Sequence, residues 1–126
     1  MTLVIDWDEA MQQCGDDEEF LRELLGDLRD ETNSQMNKMN EVIGNPTDAV
    51  FIEIVRAAHV IKGAASNLMC YELRDTAMAL ETAASTARDT ADGKSNPTVI
   101  LGVKDSFTKL TTAVRNYHEY LDSLGV

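Results

Sequence analysis

Apolar residues along this chain recur at spacings of three and four between short polar stretches, and β-branched runs alternating with period two are absent. That pattern predicts helices throughout. Both prolines, with Gly15, Gly44 and Gly93, fall between the periodic segments and mark the breaks. Five helices result. Asp6 caps a short first one, with Glu9 three residues on as an acidic variant of the capping box, and Cys14-Gly15 stops it. Asp16 with Glu19 repeats the signature and opens a long helix to about Ile43, with Leu21, Leu25, Leu28, Met39 and Val42 on one stripe. Gly44-Asn45-Pro46 ends it.

The third helix starts near Asp48 and carries Phe51, Ile54, Ala58, Ile61, Ala65 and Leu68 as its core face. The fourth runs from about Tyr71 to Asp89 on Leu73, Ala77, Leu80, Ala84 and Ala87, whose small members allow close helix approach. After the loop Asp92–Ser95, Asn96 caps the last helix and Pro97 takes its first position. Ile100, Val103, Phe107, Leu110, Val114, Tyr117 and Leu121 form its stripe. Four long amphipathic helices with short connections pack most simply as an antiparallel up-and-down bundle, the short first helix covering one end. The expectation is one all-α domain over residues 1–126, without internal repeat.

Composition narrows the function. A chain of 126 residues can bury a core without disulfides. Cys14 and Cys70 lack metal-ligand or redox spacing and read as small hydrophobes of a reduced compartment. Asp6, Asp8 and Glu9 interrupt the apolar start before a signal-peptide core could form, and no run spans a bilayer. The expected location is the cytoplasm, with nuclear access in a eukaryote. A net charge of -11, from 22 acidic against 11 basic residues, repels nucleic acid and anionic membrane.

Chemistry is sought outside the stripes. Ile52, Val55, Arg56, His59, Lys62, Gly63 and Ser66 share one outer flank of the third helix. Two apolar residues and a mid-helix glycine are unexpected on a merely solvated face. Glycine there costs roughly 1 kcal/mol relative to alanine, a cost that close approach of a partner would explain. An exposed imidazole can attack phosphorus, and Lys62 one turn on offers an ammonium to phosphoryl oxygens. Glu81 follows core Leu80 as His59 follows core Ala58, so both stand beside a seam. His118 belongs to no motif and reads as structural. No Glu-x-x-His pairs, H-E-x-x-H, P-loop or Gly-rich nucleotide loop occurs, so self-phosphorylation from ATP is not expected.

The string His59-Val60-Ile61-Lys62-Gly63-Ala64-Ala65 resembles the H-x-[IL]-K-G-[AS]-[AS] signature of histidine-containing phosphotransfer (Hpt) domains. Asp6-Trp7-Asp8-Glu9-Ala10 followed by Gly15-Asp16-Asp17 is similar to the family's usual opening, and helix number and order match over nearly the whole chain. The resemblance implies a carrier rather than an enzyme: His59 accepts phosphoryl from a receiver-domain aspartate and passes it to that of a response regulator. It implies Lys62 as stabiliser of the phosphorylated form and Glu81 as hydrogen-bond partner of the imidazole. Gly63, Ile52, Val55, Arg56 and Ser66 are the expected docking surface, with Ser66 and Asn67 lining the site. No intrinsic cofactor or metal is implied. Magnesium belongs to the partner receiver, and the partners are receivers of a hybrid sensor histidine kinase and of response regulators, met by a monomer.

The resemblance departs at one place: Met69-Cys70 stands where glycine is common at the end of the third helix. Two alternatives stay open. One is a helical module that binds receivers without accepting phosphoryl; the other is the histidine domain of a larger sensor kinase, against which the start at Met1 and the end after Leu121 weigh.

Overall fold

Asp6, Asp17 and Asn96 each turn a side-chain oxygen onto a backbone N–H that its own helix leaves unpaired. In the computed structural model, which describes residues 3–126, they open α1 (Trp7–Gln13), α2 (Glu18–Gly44) and α5 (Pro97–Leu124). Asp6 accepts from Glu9 N–H at 3.1 Å, Asp17 from Phe20 N–H at 3.0 Å, and Asn96 from the amides of Thr98 and Val99 at 3.1 and 3.3 Å. Between them lie α3 (Val50–Asn67) and α4 (Tyr71–Asp89). No strand occurs among the described residues.

The cap of α2 is one residue later than the sequence pattern suggests. An N-cap needs extended backbone, whereas Asp16 sits at φ 60° and gives its N–H to the Met11 carbonyl at 2.8 Å, so it closes α1. With Asp17 as cap, Phe20 takes the third helical position and Glu19 forms no capping box. α3 likewise starts at Val50 rather than Asp48. Val50 N–H bonds the Thr47 carbonyl at 3.2 Å in a preceding turn, and the Asp48 carboxylate instead accepts from Lys94 Nζ at 2.6 Å.

The long helices form a closed ring in which α3 packs on α2 and α4, and α5 on α4 and α2. Cross-links identify the antiparallel directions. Arg22 near the start of α2 donates to the Leu124 carbonyl at the end of α5, and Tyr117 Oη donates to the Leu25 carbonyl at 2.7 Å. Asn116 late in α5 donates to Glu72 early in α4 at 2.8 Å. α1 covers the end holding the α3–α4 turn: Asp6 N–H bonds the Met69 carbonyl, Glu72 N–H bonds the Leu3 carbonyl, each at 2.9 Å, and Tyr71 Oη donates to Glu9 at 2.7 Å.

Leu21, Leu25, Ile54, Ile61, Leu73, Leu80, Leu110 and Leu121 are buried at the centre, each contributing roughly 1.5–3 kcal/mol of transfer free energy. The α3–α4 pair is the most extensive, because Ala58 and Ala65 face a helix that buries Ala77, Ala84 and Ala87. The ring is not evenly closed. α2 and α5 make the sparsest contact of the four long-helix pairs, and Phe51, Ile100 and Phe107, expected in the core, stay half-buried. They line an open groove of about 1010 Å³ near Pro46 and Lys94. Thr32 and Gln35, polar and outside the predicted stripe, are buried on α2.

The turn after α3 explains how the family glycine is replaced. Met69 takes φ 57°, the left-handed conformation in which glycine is usual. Met69 N–H then reaches the Ser66 carbonyl at 3.3 Å and Cys70 N–H the Ala65 carbonyl at 2.9 Å, the two bonds of a Schellman motif. Leu68 is therefore the C-cap rather than the last core residue of the helix, and it is half-buried.

Candidate functional site

The site follows from register on two packed helices. Ala58 and Leu80 are fully buried on the α3–α4 seam, so the next residue on each helix, His59 and Glu81, emerges at its outer edge. The Nδ1 of His59 lies 3.2 Å from Glu81 Oε1. An ionised carboxylate only accepts, which assigns the proton to Nδ1 and leaves Nε2 as the lone-pair nitrogen. The imidazole is 65% exposed, with the carboxylate beneath it at 21%.

Lys62, one turn on, brings Nζ to 2.9 Å from Glu81 Oε2. This is an ionic contact rather than an aligned hydrogen bond: Oε2 is buried and has no other protein partner among the described residues. Burial acts most strongly on Glu81 and raises its pKa, but the close contacts with Lys62 and then His59 together outweigh it and hold the carboxyl below its usual value. Glu81 is thus an anion that joins an exposed imidazole and a cation.

The sequence profile of the Hpt domain matches residues 23–117, a stretch running from α2 into α5 that contains His59, Lys62, Gly63 and Glu81. The chain belongs to the Hpt family. Hpt domains are phosphotransfer carriers that mediate histidine phosphotransfer in phosphorelays and interact with receiver domains. Comparison with curated proteins and with solved structures gives no match.

In this Hpt domain the rest of the flank around His59 is uneven. Helical geometry of about 100° per residue sets Lys62 and Val55 toward α4, and Gly63 and Arg56 toward α2. Ile52 and Val55 are half-buried, and Arg56 is exposed along the α2–α3 groove near Lys38, Glu53 and Val60. A Cβ at Gly63 would meet no atom within 4 Å beyond its own helical turn and chain neighbours. Ser66 spends its hydroxyl within the helix, donating to the Lys62 carbonyl at 2.8 Å. Exposed Asn67 faces away, beside Phe20 and Leu24 of α2.

Two exposed apolar side chains near the site escaped the sequence reading. Val60, 38% exposed, borders Arg56, and Met78, 47% exposed, shares a shallow cleft with Lys62 and Glu81. Both lie off the core stripes, which was the available signal. Cys70 is chemically quiet: burial pushes its thiol up to about 12. Among the described residues no group of three or more His, Cys, Asp or Glu could hold a metal ion, and no helix is long and apolar enough to cross a membrane.

Proposed function

We propose that His59 is the phosphoryl carrier of this Hpt domain, accepting from a receiver aspartate and delivering to the aspartate of a response regulator. The observation that carries this reading is the Glu81 carboxylate under His59 Nδ1, which leaves the exposed Nε2 as nucleophile. In the forward step the Nε2 lone pair attacks phosphorus in line, the P–N bond forms as the P–O bond to the aspartyl oxygen breaks, and the aspartate leaves as carboxylate. Nδ1 keeps its proton, so the phosphorylated ring is cationic and Glu81 stabilises it. The reverse step regenerates the neutral imidazole.

Lys62 acts on the phosphoryl oxygens while remaining near Glu81 Oε2, because leaving would strand a buried carboxylate oxygen. Gly63 gives clearance for the receiver, and Ile52, Val55, Arg56 and Ser66 make the surrounding contacts. The protein supplies position and charge, and needs no cofactor of its own; the magnesium of the reaction belongs to the receiver. A cytoplasmic monomer carrying one domain fits this role. The test is transfer from a receiver phosphorylated by a small acyl phosphate, with the label located on one residue. Label on His59 supports the reading, and binding without transfer rejects it.

A further inference from the structure

The groove at the far end of the bundle has no part in that chemistry. It opens on the core side of α3, whereas His59 emerges on the outer side, and Val50, Phe51 and Ile54 of α3 face Ile100, Val103 and Phe107 of α5 across it. Its volume of about 1010 Å³ is at the upper end of small-molecule sites, which are concave, mostly apolar, and carry a few polar groups for orientation. Sparse contact between α2 and α5 leaves this apolar surface uncovered. Covering it would remove half-buried Phe51, Ile100 and Phe107 from water.

The charge at its mouth selects the occupant. Lys94 and Lys104 both line the groove, although the chain as a whole carries -11. Asp48, the one acidic residue lining it, is taken by Lys94 at 2.6 Å. Lys104 has no carboxylate within ion-pair distance among the described residues. We propose that this groove binds an amphiphilic acid, with a long apolar tail along Ile54, Val103 and Phe107 and an anionic head at Lys104. A concave trough with a cation at one edge suits one chain with one charged end, while a flat apolar face would suit a protein partner.

The experiment titrates the full chain with palmitate below its micelle concentration, using methyl palmitate and an acidic amphipathic peptide as comparisons. Palmitate binds saturably at one site, while methyl palmitate and Lys104→Glu each weaken binding at least about tenfold, the loss expected for an uncompensated charge pair. Ile100→Trp fills the groove and abolishes binding, with helicity checked by circular dichroism and transfer to His59 unchanged. Should Ile100→Trp unfold, Lys104→Glu decides alone, since its side chain is exposed. Absence of saturable palmitate binding, equal affinity for the ester, or preference for the peptide overturns the proposal.

Discussion

The Glu81 carboxylate accepts the Nδ1–H of His59 at 3.2 Å across the α3–α4 seam, which makes the tautomer of this imidazole a property of helix packing. The helix pair in most extensive contact also orients the His59 ring. Replacing Glu81 by glutamine keeps the size but removes the charge shared by His59 and Lys62. Glu81→Gln is expected to slow phosphotransfer from a phosphorylated receiver while costing at most about 1 kcal/mol of stability, since the group is partly solvated. Stopped-flow transfer rates beside denaturant unfolding check both.

The same substitution removes a pH dependence. Glu81 has a folded pKa below the ordinary 4.5, so between those values the unfolded chain binds the extra proton. Its stabilisation is complete above the ordinary value and is lost as pH falls through the folded one. Wild type and Glu81→Gln are therefore expected to differ in stability at pH 7 and to converge in acid, as read by unfolding midpoints from pH 7 down to the acid limit. A constant difference would refute the assigned ionisation.

Gly63 allows the needs of the fold to be tested apart from those of the proposed docking. Open space around its Cβ position predicts that Gly63→Ala stabilises the domain by up to about 1 kcal/mol through helix propensity. Gly63→Leu should stay folded while receiver binding fails. Calorimetry with a receiver titration distinguishes these effects; wild-type affinity for Gly63→Leu would remove close approach as the reason for the glycine.

Met69 isolates the cost of its backbone. Both Met69→Gly and Met69→Ala lose the contact with Tyr71, whose hydroxyl lies 3.4 Å from the Met69 sulfur, but only alanine must hold φ near 57° with a Cβ. Met69→Gly is expected to be about 1 kcal/mol more stable than Met69→Ala, the left-handed penalty net of glycine's extra unfolded-state entropy. Thermal unfolding of the pair measures it.

Much of this was legible in the sequence because register is local. Ala58 and Leu80 mark the seam by their spacing, and His59 and Glu81 follow from them by one residue. What escaped depends on contacts between helices. Phe51, Ile100 and Phe107 have core spacing yet line a groove, because α2 meets α5 sparsely. Thr32 and Gln35 are buried by position despite their polarity, and Gln35 spends its amide on Glu31 at 3.1 Å. Asp16 and Asp17 offer the same cap chemistry, and only the turn that closes α1 chooses between them. The expected glycine after α3 failed as a composition cue because Met69 adopts the conformation itself.

The most direct test of His59 as carrier is transfer from a phosphorylated receiver to the intact chain and to His59→Gln, with the phosphoryl group placed by mass spectrometry. The ring is largely exposed and its hydrogen bond goes to Glu81, so the variant's stability is expected to stay within about 1 kcal/mol of wild type. The predicted result is a single acid-labile phosphoryl on His59 and none on the folded variant; label on another residue, or label retained by His59→Gln, would contradict the account.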